Sequence, residues 1–83
     1  MEKKVTVNLK SGLQARAASS FVQSANRFQS DVYIQKNNIK VNAKSIMGLM
    51  SLGLARGSEI IIFAEGHDEA VAIEELARLV SEE

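Results

Sequence analysis

The segment Asn42-Ala43-Lys44-Ser45-Ile46-Met47-Gly48-Leu49-Met50-Ser51-Leu52-Gly53 puts a hydroxyl where a short helix should open. A serine in that place can give its side-chain oxygen to an unpaired backbone N–H of the first turn, so the plain reading of Ser45 is a helix cap. The same position also tolerates phosphorylation. A phosphate brings about −1.5 to −2 charges to the positive end of the helix dipole, so it can act as a new surface feature without unfolding the helix. A second segment, Ser11-Gly12-Leu13-Gln14-Ala15-Arg16-Ala17-Ala18, sets Gly12 as a sharp turn directly before another helix. The free N–H groups of a helix start form an anion cradle. Arg16 adds a planar cation in the first turn, where the dipole disfavours one. An anion site and a bare helix start with an exposed arginine both satisfy these residues. The chain has one histidine, His67, and no cysteine. Thiolate chemistry, disulfides and zinc-cysteine clusters are therefore excluded, and one imidazole alone cannot build a polyhistidine site. His67 falls in a loop and reads as a loop residue rather than a ligand or catalyst.

The helix behind Ser45 is unusually apolar. Taking Ile46 as zero, Met50 and Met47 lie at about 40° and 100° and Leu52 and Leu49 at about 240° and 300°, an arc of roughly 220° against the ~100° that suffices for docking on a sheet. Either the whole helix is deeply buried, or Leu49 and Leu52 enter the core while Ile46, Met47 and Met50 stay outside. An exposed methionine-rich ridge is adaptable and suits a partner surface.

The elements that would position these residues follow from periodicity. Val5, Val7 and Leu9 alternate with polar neighbours, so residues 4–9 read as a half-buried strand. Residues 16–27 follow the helical period: Ala17, Ala18, Phe21, Val22, Ala25 and Phe28 fill one arc, and Arg16, Ser19, Ser20, Gln23 and Arg27 the opposite one. Val32 and Ile34 alternate, as do Ile39 and Val41, and Asn37-Asn38 between them suit a tight hairpin turn. Residues 46–53 read as a short helix. Ile60-Ile61-Ile62-Phe63 mark a central strand over 59–64. Asp68 can cap a last helix with Ala70, Ile73, Leu76, Ala77 and Val80 inward and Glu74, Glu75 and Arg78 outward. The order β-α-β-β-α-β-α predicts an α+β fold, a split β-α-β arrangement with one antiparallel sheet and helices on one face.

Eighty-three residues, 46% hydrophobic and 24% charged, make one small folded domain over 1–83. No run approaches the ~18 apolar residues of a membrane span, and the start resembles no signal peptide, so a cytoplasmic protein without membrane contact is expected. The net charge is zero, but residues 1–58 carry nine basic and two acidic groups and residues 59–83 one basic and eight acidic. This is either a solvated acidic helix on a basic body, or a basic face shown to an acidic partner or a phosphate. An RNA-binding sheet would need surface aromatics on its inner strands, and Tyr33 with three phenylalanines does not supply that pattern, so no direct nucleic-acid contact is expected.

The residues Gly12-Leu13, Ala15-Arg16 and the run from Val41 to Gly53 resemble HPr, the small phosphocarrier family of the bacterial sugar phosphotransferase system. The resemblance implies an HPr-like open-faced β-sandwich, a four-stranded antiparallel sheet with three helices on one face. It also shows a departure. The family has a phosphate-accepting histidine where this chain has Gln14, and a proline where it has Ala17. An amide nitrogen is not nucleophilic, so sugar phosphotransfer should be absent. The substitution is similar to that of the family's regulatory, catabolite-repression branch. That branch implies phosphorylation of Ser45 by a bifunctional HPr kinase/phosphorylase and, once phosphorylated, binding to a catabolite control regulator of the LacI/GalR type. Arg16, Ser45, Ile46, Met47 and Met50 match the family's contact positions, with Gln14, Ser19 and Gln23 beside them. No enzyme activity, cofactor or metal is implied. A divergent phosphocarrier, a small anion-binding module at Gly12 and Arg16, and a domain that docks without modification are the competing readings. Lys10-Ser11-Gly12 forms a hinge that permits strand exchange into a homodimer.

Overall fold

The computed structural model describes residues 1–10, 12–13 and 15–81, the side chain of Ala15 excepted. Its elements run β1 (Glu2–Thr6), α1 (Ala15–Ala25), β2 (Asp31–Lys36), β3 (Ile39–Asn42), α2 (Ile46–Ser51), β4 (Glu59–Glu65) and α3 (Glu69–Ser81). The strands form one antiparallel sheet in the order β1-β4-β2-β3, so the isoleucine-rich β4 is indeed central. Val32 and Ile34 of β2 and Ile60, Ile62 and Ala64 of β4 point to one face. They pack there with Phe21 and Ala25 of α1, Leu49 of α2, and Ala72, Ile73, Leu76, Ala77 and Val80 of α3. The hairpin turns at Asn37-Asn38 as expected, with Asn37 at φ 56°, a left-handed conformation that asparagine tolerates. The result is the open-faced sandwich with the predicted element order.

The other face of the sheet is open. In register, Phe63 of β4 lies opposite Tyr33 of β2, and the Lys40 ammonium stands 4.2 Å from the Phe63 ring and 5.2 Å from the Tyr33 ring. Two inner-strand aromatics therefore do occupy the open face, contrary to the sequence expectation. The period-2 pattern of β4 hid Phe63 inside an apolar run.

Four further details differ from the sequence reading. The first strand ends at Thr6 rather than residue 9, because its partner β4 begins at Glu59, opposite Thr6. Beyond it Val7 is bonded to Ser58 and Gly57 and Asn8 reaches Val80, so the chain bends over towards α3. Helix α1 stops at Ala25, and the next residues tighten into i→i−3 bonds, from Arg27 N–H to Ser24 and from Phe28 N–H to Ala25. Helix α2 likewise stops at Ser51, and Leu52 and Gly53 close it. Ala70 is exposed and Ala72 is buried. The inward arc of α3 is turned roughly 30° from the expected one, towards Ala72 and half-buried Leu79.

Candidate functional site

The turn before α2 is fixed from several sides. Buried Ala43 donates its N–H to the Val32 carbonyl (2.9 Å), joining the turn to the sheet. Lys44 N–H donates to Asn42 Oδ1 (2.8 Å) and Ser45 N–H to the Asn42 carbonyl (3.2 Å), an asparagine-nucleated turn. Ser45 then adopts φ −113° and ψ 120°, outside helical geometry, and its Oγ accepts from Gly48 N–H at 3.3 Å. The expected cap is present, and Ser45 is exposed. Gly48 allows the first turn to sit close, since a Cβ there would lie 3.2 Å from the Asn42 carbonyl oxygen and 3.5 Å from Val41 Cβ.

Two clamps were not read from the sequence. Lys44 Nζ donates to the Phe28 carbonyl at 2.9 Å, and Asn26 Nδ2 donates to the Lys44 carbonyl at 3.4 Å, so the Ser45 turn is tied to the end of α1. Lys36 Nζ donates to the Leu52 and Gly53 carbonyls at 3.5 and 3.2 Å, putting a cation on the C-terminal end of α2 as the dipole favours. Both bonds cross between elements, and no local spacing announces them.

Helix α2 divides its apolar arc. Leu49 is fully buried and Leu52 nearly so, whereas Met47 is 80% exposed, Met50 51% and Ile46 36%. The ridge thus stands out of the core beside Ser45. On α1, Arg16 and Gln23 are exposed and Ser19 is half-buried. They form one stripe, and α1 packs against α2, so the two surfaces lie on neighbouring helices. Gln14 lies outside the described residues, as does Ser11 of the hinge. Gly12 has φ +73°, and its N–H bonds to the Leu9 carbonyl while Leu13 N–H bonds to that of Leu54 (2.7 Å).

His67 is exposed in the turn between β4 and α3. Its neighbour Asp68 precedes α3 but turns its carboxylate away from the expected capping role. It accepts from the N–H groups of Gln29 (2.9 Å) and Ser30 (3.0 Å) and from the Ser30 hydroxyl. The Ser30 hydroxyl, followed by the Gln29 N–H, holds its pKa down at about 2. Among the described residues no cluster of three His, Cys, Asp or Glu could hold a metal ion, and no helix is long and apolar enough to cross a membrane.

Comparison with known proteins places this geometry. The profile described as "PTS HPr component phosphorylation site" matches residues 1–82. The HPr-like protein Crh of Bacillus subtilis is 58% identical over 83 residues, covering all of this chain and 98% of that one. The phosphocarrier protein HPr of Bacillus anthracis superposes with a TM-score of 0.96 at 54% identity, covering 98% of this chain and 96% of that one. The crystal structure of Bacillus subtilis Crh as a swapped-domain dimer is 59% identical, over 94% of this chain and 90% of that one, yet superposes at 0.78.

Proposed function

The chain belongs to the HPr family of the phosphotransferase system, and from that membership we propose that it is a regulatory phosphoprotein of carbon catabolite repression rather than a phosphocarrier. The observation that carries the reading is the uncovered ridge of Ile46, Met47 and Met50 beside an exposed, pre-turned Ser45 hydroxyl. An HPr kinase/phosphorylase docks on the ridge and transfers phosphate to Ser45 Oγ. The γ-phosphoryl group of ATP passes to the serine oxygen as ADP leaves, the serine proton goes to a base of the kinase, and the phosphate monoester formed carries about −1.5 to −2 charges near neutral pH. The modified face then binds a LacI/GalR-type catabolite control regulator in the cytoplasm. Basic groups of the regulator pair with the phosphate. Ile46, Met47 and Met50 bury apolar area, worth roughly 1.5–3 kcal/mol for each side chain fully covered. Arg16 pairs with an acidic group, with Gln14, Ser19 and Gln23 at the margin. The protein touches no DNA itself.

Gln14 stands where the family's acceptor imidazole belongs, and an amide cannot replace it as a nucleophile. No catalysis by the chain itself is needed. The switch is an affinity difference between two states of Ser45, and a coupling of 1–3 kcal/mol changes binding about 5–150-fold. The swapped-domain relative supports a second state, in which β1 is exchanged between two copies about the Lys10–Gly12 hinge.

Treatment with the kinase and ATP, followed by mass mapping and titration against the regulator, tests the reading. One phosphate on Ser45 and tighter binding are expected. Equal affinity of the two forms overturns it, and so does phosphate gained from enzyme I and phosphoenolpyruvate.

A further inference from the structure

The segment from Asn26 to Ser30 is held from two sides. On one side Lys44 Nζ grips the Phe28 carbonyl and Asn26 grips the Lys44 carbonyl. On the other, the Asp68 carboxylate takes both N–H groups of Gln29 and Ser30 and the Ser30 hydroxyl. Residues 26–30 therefore bridge the Ser45 turn to the start of α3. The two grips differ in kind. Asp68 is a charged acceptor with three donors. Lys44 is half-buried, and its ammonium donates to a neutral carbonyl.

We propose that Lys44 is the internal counter-ion of the modification: phosphate on Ser45 draws its ammonium off the Phe28 carbonyl and loosens the 26–30 bridge. This rests on Ser45 being the modified residue. Adjacent Cα atoms stand about 3.8 Å apart, within the sweep of a four-carbon stem. The Phe28 carbonyl offers the ammonium only a dipole, whereas a phosphate of about −2 offers it full opposite charge within the same reach. Asn42 holds the Lys44 and Ser45 backbones in one tight turn through both of their N–H groups, so the lysine stem swings from a fixed point beside the serine. The remaining charged groups on the elements meeting this turn are Arg16 in the first turn of α1, at the other end of that helix from Asn26, Arg27 beyond α1, Asp31 opening β2, Lys36 at the C-terminal end of α2 and Lys40 over the aromatic rings. Of these Arg27 is the competitor, because it sits between the two residues that touch Lys44. If the phosphate chose Arg27, the bridge would stay intact. The surface that changes on modification thus extends beyond α2 to the end of α1, and a partner that reads the modified state meets a loosened Asn26–Phe28 there.

The test installs phosphoserine at position 45 of the full chain during translation, so that it does not depend on any kinase. The second ionisation of the phosphate is followed by phosphorus NMR in the parent, Lys44→Gln, Lys44→Arg and Arg27→Gln proteins. A nearby cation favours the dianion, so the parent midpoint should lie lower than in Lys44→Gln by roughly half a pH unit, about threefold in acidity. Lys44→Arg should restore it. Exchange of the Arg27 and Phe28 amides should rise severalfold on phosphorylation in the parent and stay flat in Lys44→Gln. A midpoint unchanged in Lys44→Gln but raised in Arg27→Gln overturns the proposal, as does unchanged exchange in the parent. Failure of the kinase to modify Ser45, or of the regulator to bind, would sink the functional reading and leave this measurement standing.

Discussion

A carboxylate that accepts three hydrogens stays ionised well below the usual range, and Asp68 shows what that means for stability. Its folded pKa, about 2, lies below the ordinary 3.8, chiefly through the Ser30 hydroxyl. The folded state thus binds its proton less readily than the unfolded chain. The stabilisation is present above pH ~4 and is lost as pH falls towards 2. Asp68→Asn should lower the denaturation midpoint at neutral pH, and its deficit against the parent should shrink between pH 4 and 2, measured by urea titration at several pH values. A deficit independent of pH would mean that shape, not charge, holds the 29–30 turn. Met47 is the opposite case. At 80% exposure it adds little to the fold, so Met47→Ala should change stability by no more than about 0.5 kcal/mol. If the ridge is a docking surface, the same change should weaken regulator binding on the order of tenfold, as loss of a buried methionine implies. Calorimetry and thermal melts on one preparation separate the two effects.

At the scale of elements, Gly12 is where local conformation meets topology. It holds φ +73°, and a Cβ there would press on the Leu54 carbonyl oxygen and lie 2.9 Å from Ala55 Cα. Gly12→Ala should therefore destabilise the closed hinge by about 1–3 kcal/mol. An extended hinge relieves both the twist and the contact, so the variant should move towards the exchanged dimer in gel filtration with light scattering. A loss of stability with no gain of dimer would separate the hinge from exchange. The sequence made the amphipathic α1, the Asn37 turn, the central β4 and the split arc of α2 legible, because each depends on spacing within one element. What it hid depends on the neighbour. The end of β1 is set by where β4 begins, and the turn of α3 that buries Ala72 instead of Ala70 is set by the sheet beneath it. Asp68 sits in a cap position, yet the Gln29 and Ser30 donors facing it outcompete its own helix. Of the candidate site, the Ser45 cap and the ridge were legible. The Lys44 and Lys36 clamps were not, since their partners are carbonyls, and every residue type has one.

Across the whole molecule the charge asymmetry of the chain becomes a polarity of the fold. The sheet order puts β1 and β3 on opposite edges, α2 packs on β3 and α1, and α3 packs on β1 and β4. Arg16, Arg27, Lys36 and Lys44 therefore lie on the α1, α2 and hairpin side, while Lys40 stands over the rings on the open face of the sheet and Lys3 and Lys4 lie on β1. Glu59, Glu65, Glu69, Glu74 and Glu75 gather on β4 and α3. On the acidic side the charges already answer one another: Arg78 lies 2.7 Å from Glu75, and Lys4 lies 3.6 Å from Glu59. If the proposed partner meets the ridge with an acidic face, a field of this form orients it before contact. Such steering acts on the association rate and is screened over about 8–10 Å at 0.1–0.15 M salt. Kinase association should thus slow several-fold between low salt and 0.5 M, while dissociation, governed by the apolar ridge, changes little. Arg16→Gln and Arg27→Gln should flatten the salt dependence, and Glu74→Gln on the far helix should leave it unchanged. Stopped-flow measurements across an ionic-strength series read all three. If Glu74→Gln flattens the dependence as much as the cation changes do, partners approach by the acidic side, and the ridge is not the face they meet first.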